Sequence, residues 1–264
     1  MSFLDTFSER RHLAVKHTGR RFIMATARLV SKQSLVPDRP VYDSSEFASL
    51  ATIEANWQLI ARELDQVLLD REKLPPFHKI SPDQKYISKG DSWKVFLLYG
   101  FGVPSVRNCA RCPETSRLLR MVPGLRSAWF SIPAPRYHIP AHRSITKTVL
   151  RTHLGLKIPD RAEDCFMRVG DSKVIWQQGK CVVFDDFYRH EVRNNTDQER
   201  VVLIFDFDRP MRPVGRFINW LLMWGIKRTA YFKTAERNLK DWDAQLESAV
   251  MTADRLMEEQ VDKA

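Results

Sequence analysis

The sequence contains no apolar run long enough to cross a membrane. A spanning helix needs about 20 consecutive apolar residues, and the best candidate, Phe217 to Ile226, covers only ten positions. Met1 to Thr6 also lacks the charged start, apolar stretch and cleavage site of a secretory signal. We therefore expect no signal peptide and no transmembrane helix. The expected location is cytoplasmic, peripheral on the inner face of a membrane.

Cysteine is scarce, and its spacing excludes the usual cysteine-based sites. Cys109 and Cys112 form a Cys-x-x-Cys pair, but Cys165 and Cys181 are too far apart to supply the second close pair of a structural zinc site. No thioredoxin-like βαβ pattern surrounds the pair. We therefore predict four free thiols.

Acidic residues are absent between Arg10 and Asp38, and the whole chain carries a net charge of +10. The charge predicts an anionic partner. The basic segment from Arg10 to Lys32 is typical of an amphipathic helix on an anionic lipid surface, or of a solvated helix face. We expect no nucleic-acid partner, because no reading motif is present and the aromatic residues are not interleaved with the basic ones. The oligomeric state is not determined by any of these features.

The sequence divides into three regions by pattern. Residues 1–91 are helix-like and polar, with apolar residues at helical spacing from Ser45 to Leu69. Residues 92–210 alternate short β-branched and aromatic runs with turn residues, which predicts an all-β barrel or sandwich. One inserted helix is predicted from Thr115 to Met121. The predicted strands are Trp93–Tyr99, Ser127–Ile132, Val149–Leu154, Cys165–Val169, Lys180–Phe184 and Arg200–Phe207.

The third region, residues 211–264, is expected to be helical. Phe217, Trp220, Leu221 and Trp224 follow the i, i+3, i+4, i+7 spacing of one helix face. This face either packs on the barrel or lies at a membrane interface, where tryptophan and nearby basic residues are common. A polar terminal helix is predicted from Glu236 to Lys263.

Three histidines stand in stretches that combine several polar residues. They lie in Pro140–Arg143, Arg151–Leu156 and Asp185–Val192. A non-haem iron oxygenase needs neutral imidazoles on one side of the metal, and an arginine fork can grip a carboxylate with two hydrogen bonds. His190 and Arg200 are ten residues apart. This separation fits a histidine at the end of one strand and an arginine on the next. On its own this pair also fits an ordinary histidine beside a strand.

A longer series of residues makes the pattern specific. In order, the residues are Ser131, Pro140-Ala141-His142, Arg151-Thr152-His153-Leu154-Gly155-Leu156, Ile158-Pro159, Cys165, Arg168, Trp176, Gly179-Lys180, Phe184-Asp185-Asp186, His190-Glu191-Val192 and Arg200. With this series, the stretch Cys109–Pro210 resembles the aspartyl/asparaginyl β-hydroxylase family of Fe(II)- and 2-oxoglutarate-dependent dioxygenases.

The resemblance implies a mainly β fold with a double-stranded β-helix core, jelly-roll or cupin-like, and flanking N- and C-terminal helices. It implies a hydroxylase domain over residues 92–210, a helical region over 1–91 packed on it, and a helical extension over 211–264. It also implies that His142 and His190 bind Fe(II). The residues implied in binding the carboxylates of 2-oxoglutarate are Ser131, Arg151, His153 and Arg200.

The family lacks the carboxylate iron ligand of the His-x-Asp/Glu motif, and this sequence agrees with that pattern. Ser144 stands two residues after His142 and is a poor iron ligand. Asp186 is the candidate catalytic carboxylate, which would orient a metal-bound water without binding the metal itself. Asp185 and Asp186 also fit a simple turn cap. His138 is expected to be a loop residue.

Two substrate classes fit the resemblance. The basic segment and the tryptophan-rich run favour hydroxylation at the 2-position of a membrane-lipid acyl chain, of the ornithine-lipid or lipid A type, because reversible membrane attachment needs an electrostatic and an apolar signal together. The alternative substrate is an aspartyl or asparaginyl residue of a peptide or protein. A non-catalytic interaction protein on the same fold is a further alternative, which the presence of His142, His190 and Arg200 disfavours.

Overall fold

The structure is a computed structural model that describes residues 23–81, 86–88, 90–144 and 146–227. The predicted terminal helix from Glu236 to Lys263, and the basic segment before residue 23, lie outside these residues. Short 3-10 turns occur at Ser44–Glu46, Arg71–Lys73 and Ala162–Asp164. The helices are α1 (residues 23–33), α2 (Ala48–Ala55), α3 (Trp57–Leu68), α4 (Phe77–Ile80), α5 (Val106–Arg111), α6 (Pro113–Arg120) and α7 (Pro213–Lys227).

The described residues form two antiparallel sheets. The strands are β1 (Val41–Tyr42), β2 (Trp93–Gly100), β3 (Val103–Pro104), β4 (Leu125–Pro133), β5 (His138–His142), β6 (Val149–Lys157), β7 (Cys165–Val169), β8 (Ser172–Ile175), β9 (Cys181–Phe184), β10 (His190–Asn194) and β11 (Val201–Asp208). The larger sheet has the order β1-β9-β6-β11-β4-β2-β3, and the smaller sheet has the order β5-β10-β7-β8. The mainly β core with flanking helices confirms the predicted fold class.

Alternation along β11 explains how the larger sheet is buried on both faces. Leu203 and Phe205 belong to a core shared with helices α2, α3 and α6. Val202 and Ile204 point the other way, into a second core shared with the smaller sheet. Successive side chains of a strand point to opposite faces, so a strand covered on both sides is apolar throughout. The histidines and the arginine singled out in the sequence lie beside this second core, between the two sheets.

The inserted helix predicted over Thr115–Met121 is confirmed as α6, and the structure adds α5 before it, separated at Cys112 (φ −129°, ψ 66°). Two other local predictions from the sequence need correction. The helix expected over Ser45–Leu69 is interrupted at Asn56, whose backbone is non-helical (φ −113°, ψ 17°). His138 begins a strand rather than lying in a loop. The strand tolerates Pro140 because β5 is an edge strand, where a missing N–H costs little.

The apolar face of α7 is exposed. The relative exposures of Phe217, Trp220, Leu221 and Trp224 are 62%, 58%, 49% and 46%. Phe217 and Trp220 stack on each other at 5.9 Å between ring centroids. Within the described residues this face therefore does not pack on the barrel. No helix in the described part of the chain is long and apolar enough to span a membrane.

The four cysteines all lie within the described residues, and no disulfide joins them. Burial raises the pKa of Cys112 to about 12. The prediction of free thiols is confirmed. The three-domain division of the chain stays a prediction.

Candidate active site

His142 and His190 face each other across two neighbouring strands. They are direct partners in the antiparallel register of β5 and β10. Their ring centroids are 4.2 Å apart. Two residues that are far apart in the sequence therefore present their imidazoles to one point between the sheets.

Main-chain carbonyls fix the orientation of both rings. The Nδ1–H of His142 donates to the Pro140 carbonyl at 2.8 Å, and that of His190 donates to the Tyr188 carbonyl at 2.9 Å. A carbonyl only accepts, so each Nδ1 carries the proton and each Nε2 keeps a lone pair. Burial lowers the pKa of His142 to about 4 and, together with the neighbouring His142, that of His190 to about 3. Both rings are neutral near pH 7, the form that binds a metal ion.

Ser131, His153 and Arg200 lie on the opposite wall, on the larger sheet. In the register of β11, Val202 pairs with Ser131 and Ile204 pairs with His153. These two β11 residues face the core between the sheets, and Arg200 precedes Val202 by two positions, which gives it the same facing. Ser131 and Arg200 are fully buried, and the Ser131 hydroxyl accepts a hydrogen bond from Trp93 Nε1 at 3.0 Å. The hydroxyl proton of Ser131 can therefore be donated to a ligand.

Arg200 is a buried cation that has no counter-ion among the described residues. Its relative exposure is 0%, and none of its three guanidinium nitrogens has a hydrogen-bond partner among the described residues. Its Cζ lies 4.6 Å from the centre of the Trp176 ring. Burial lowers its pKa to about 10. A buried guanidinium of this kind is strongly unfavourable unless an anion completes it, so the geometry calls for an anionic ligand at this point.

A series of ring contacts leads from Arg200 to the histidine pair. Trp176 stacks near His153 (6.1 Å), which meets Phe184 edge-on (5.0 Å). Phe184 in turn meets His190 at 5.3 Å. Neither ring nitrogen of His153 has a partner among the described residues, and burial lowers its pKa well below the ordinary value. The predicted anion site and the predicted metal site are therefore connected through packed rings in the core between the two sheets.

Arg151 lies near the histidine pair, but its guanidinium is already paired with carboxylates. Its Nε and Nη2 donate to the two carboxylate oxygens of Asp206 at 2.7 and 2.9 Å, and Nη2 lies 3.4 Å from Asp186 Oδ2. Although burial opposes its charge, Asp206 and Asp186 raise the pKa of Arg151 above its ordinary value. The guanidinium also lies over the Trp129 ring, at 5.3 Å. Any ligand that Arg151 binds has to share it with two carboxylates.

The two adjacent aspartates have different environments. Asp185 accepts hydrogen bonds from the Phe187 N–H and from Arg209, so it holds the turn before β10. Asp186 is 2% exposed and its Oδ1 has no partner among the described residues. Burial, partly offset by Arg151, raises the pKa of Asp186 to about 7. The turn-cap interpretation therefore describes Asp185, whereas Asp186 borders the site.

The residues present fit an iron ion and a dicarboxylate. Two neutral imidazoles offer Nε2 lone pairs, and the unpaired Arg200 supplies the charge for a carboxylate. Among the described residues no group of three or more His, Cys, Asp and Glu side chains is arranged around one point as a metal cluster. The ligands that the described residues could offer a metal ion here are thus the two histidines.

Sequence reasoning missed Asp206. It lies at the end of an apolar run on β11, and only the strand register, which pairs Asp206 with Arg151, reveals its role. The one signal in the sequence was its spacing, because Asp206 is two and four residues after Ile204 and Val202 and therefore shares their side of the strand.

Comparisons with known proteins place the chain in a family. The model of the aspartyl/asparaginyl β-hydroxylase family matches residues 54–210. An ornithine lipid ester-linked acyl 2-hydroxylase from Rhizobium tropici is 43% identical over 212 residues, covering 80% of this chain and 75% of its own length. The human aspartyl/asparaginyl β-hydroxylase is 34% identical over 167 residues, covering 60% of this chain and 21% of its own length. The chain thus spans about a fifth of the human relative.

Fold comparison finds a Pseudomonas putida prolyl-4-hydroxylase at 18% identity and a TM-score of 0.40, covering 58% of this chain and 87% of that one. The two antiparallel sheets with their flanking helices define the fold class, a double-stranded β-helix. The chain belongs to the aspartyl/asparaginyl β-hydroxylase family.

Proposed function

We propose that the protein is an Fe(II)- and 2-oxoglutarate-dependent hydroxylase that acts on the 2-position of an acyl chain in a membrane lipid, of the ornithine-lipid or lipid A type. The observation that carries the chemistry is Arg200, a buried guanidinium that has no counter-ion in the described part of the chain and is connected through packed rings to a pair of neutral histidines. A dicarboxylate co-substrate beside iron accounts for both features at once.

His142 and His190 would hold the iron through Nε2. Bound there, iron and 2-oxoglutarate supply the oxidising power for hydroxylation of an unactivated C–H bond. The carbonyls of Pro140 and Tyr188 keep both imidazoles in the tautomer that presents Nε2. Low pKa values of the two rings prevent protons from competing with the metal at neutral pH.

The far wall would position the co-substrate. Arg200 pairs with the distal carboxylate of 2-oxoglutarate, and the Ser131 hydroxyl donates to the same group. His153 lies between Arg200 and the histidine pair, close enough to contact the bound molecule with a ring nitrogen that has no other partner in the described residues. Phe184 and Trp176 exclude water from the charged groups, which strengthens each of these interactions.

Arg151, Asp186 and Asp206 form the remaining polar edge. Because Asp206 holds Arg151 with two hydrogen bonds, Arg151 presents a fixed positive charge to a carboxylate rather than a mobile one. Asp186, with one oxygen unpartnered in the described residues, would accept a hydrogen bond from a water molecule in the site. These two residues therefore position ligands, while the histidines bind the metal.

The test of the chemistry is 2-oxoglutarate turnover by purified protein with Fe(II). We expect succinate formation by the wild type and its loss in His142→Ala. His138→Ala is the matched control, since His138 lies on the same strand with an exposed side chain paired with Glu191. Equal turnover by wild type and His142→Ala contradicts the iron assignment.

Three observations support a lipid substrate. The Rhizobium relative is named as an ornithine lipid ester-linked acyl 2-hydroxylase. The tryptophan-bearing face of α7 is exposed, and the net charge of +10 favours an anionic membrane surface. A peripheral position on such a surface would bring the enzyme to its substrate without a spanning helix.

Lipid mass spectrometry distinguishes the substrate classes. Cells expressing wild type or His138→Ala should contain a lipid class that gains one oxygen, and cells expressing His142→Ala should not. Unchanged lipids, with 2-oxoglutarate turnover intact, would transfer the proposal to acidic peptides, the substrate class named for the human relative. Absence of turnover as well would leave the non-catalytic alternative.

A further inference from the structure

A cavity lies beside the strand ends that carry the histidine pair. Its volume is about 600 Å³, and its lining combines helix α1 with Arg143, Lys147 and residues 187–189. Neither His142 nor His190 lines it. The residues next to them, Arg143 and Arg189, do.

The strand register brings these two arginines together. His142 and His190 are antiparallel partners, so Arg143 and Arg189 occupy the next position of the same register, just past the strand end. Arg28 and Lys32, one turn apart on α1, line the cavity from the other side. Within the described residues, the side chains of these four exposed cations make no hydrogen bond or ion pair. Like charges gathered in this way favour an anion between them.

The acidic residue of the cavity does not neutralise them. Asp38 accepts from Lys147 at 2.5 Å, from Ser31 at 2.9 Å and from Tyr188 at 3.0 Å. Lys147 in turn lies 3.0 Å from Asp185. Asp38 is thus occupied by the cavity wall, and the charge of the four exposed cations remains available.

The lining is also partly apolar. Met24 and Ala27 of α1 and the ring of Phe187 contribute to it, and the Arg143 guanidinium lies 5.7 Å from the centre of the Phe187 ring. A cavity with cations and apolar side chains suits an amphiphile that has an acidic head and hydrocarbon beside it. An inorganic anion would leave the apolar part unused.

We propose that this cavity binds the acidic headgroup, carboxylate or phosphate, of the acyl substrate. The inference rests on the proposed lipid hydroxylase function and names the chemistry of its substrate. The carbon next to an acyl carbonyl lies only a few bonds from the headgroup linkage, so the headgroup has to sit near the metal when that carbon is oxidised. Arg143 and Arg189 directly adjoin the two histidines and meet this requirement.

Binding to the iron-free protein tests the proposal apart from the chemistry. The probes are N-octanoylglycine, below its micelle concentration, and its uncharged analogue N-octanoylglycinamide, with acetate and inorganic phosphate as free anions; calorimetry measures affinity. We expect N-octanoylglycine to bind wild type more tightly than the amide. The double variant Arg143→Ala/Arg189→Ala should lose about twenty-five-fold of this preference, since each of two arginines near an anion contributes about a factor of five.

The matched control is Arg212→Ala/Arg216→Ala. It removes the same charge at exposed positions near the end of α1, where the Arg212 N–H donates to the Gln33 carbonyl, yet neither residue lines the cavity. Retained preference in this control, with unchanged thermal unfolding of both variants, supports the headgroup site. Equal losses in both variants, or equal binding of acid and amide, overturns it. Inorganic phosphate binding as tightly through Arg143 and Arg189 would instead assign the cavity to a free anion.

If wild type binds the acid as expected but produces no succinate, the hydroxylase proposal fails while the anion site stands. If succinate forms but the acid shows no preference, the hydroxylase proposal stands and the headgroup site fails.

Discussion

Replacing Arg200 with methionine should have opposite effects on stability and on ligand affinity. Methionine has a similar length and keeps the contact with Trp176, but it removes a fully buried charge that lacks a counter-ion within the described residues. Exchanging buried charged groups for apolar ones of similar volume often stabilises a protein by about 1–4 kcal/mol. In a chain of this size each kcal/mol corresponds to a rise of about 2–4 °C in Tm.

The same change should nearly abolish 2-oxoglutarate binding. A carboxylate left in the pocket without its charge-assisted partner loses about 2–5 kcal/mol. Since a ligand at one hundred times its Kd raises stability by about 2.7 kcal/mol, the concentration that stabilises the wild type in this way should shift the Tm of Arg200→Met by at most about a third as much.

Thermal unfolding with and without 2-oxoglutarate measures both effects in one experiment. Arg136→Met is the control, because Arg136 is exposed and pairs with the exposed Asp197. It should leave the ligand-induced shift intact. Two results together would refute this reasoning about Arg200. The ligand-free Arg200→Met protein would melt below the wild type, and its Tm would still rise with 2-oxoglutarate.

Other predictions follow from burial and packing. Since burial lowers the pKa of His142 from 6.5 to about 4 and that of His190 to about 3, only the unfolded chain takes up these protons as the pH falls below 6.5. As the pH falls from 6.5 to 4, the unfolding free energy of the metal-free protein should therefore decrease by up to about 1.4 kcal/mol per pH unit for each histidine. Urea unfolding contradicts this if the unfolding free energy is constant over this pH range, or if it falls as steeply in the variant with both histidines changed to Gln. Gly155→Ala should destabilise by about 1–3 kcal/mol, because its Cβ would run into the Gln177 carbonyl; an unchanged urea midpoint would show that β6 yields freely. Trp220→Ala should weaken sedimentation with anionic liposomes, most visibly at high salt where the apolar contribution remains; undiminished sedimentation argues against α7 as the membrane contact.

The strands that carry apolar residues on both faces were predictable from sequence. Cys165–Val169 has the predicted bounds, and Val149–Lys157 extends the predicted strand by three residues. The smaller sheet was harder to predict, since β5 contains Pro140 and β10 contains polar residues. Their strand conformation depends on pairing with each other and with β7, a tertiary effect that local propensity does not report.

The site residues were predictable by type but not by environment. The ordered series of motifs identified His142, His190 and Arg200, and the fold connects them through packed rings in the core between the two sheets. The Asp206 carboxylate that holds Arg151 depends on the register between β6 and β11. The difference between Asp185 and Asp186 depends on which way the turn before β10 points each side chain. Both are decided by three-dimensional packing and leave little trace in residue spacing.

The orientation of the histidine rings by the main chain has a consequence for how this enzyme can diverge. Pro140 and Tyr188 each hold a ring through a peptide oxygen, which every amino acid possesses. Mutation of either residue changes the neighbouring surface but leaves the acceptor where it was, provided that the strand ends keep their course. The direction in which the two Nε2 atoms point is thereby insulated from sequence changes in the loops around them. Under the proposed function, these loops can change to accept other substrates while the histidine pair keeps its orientation.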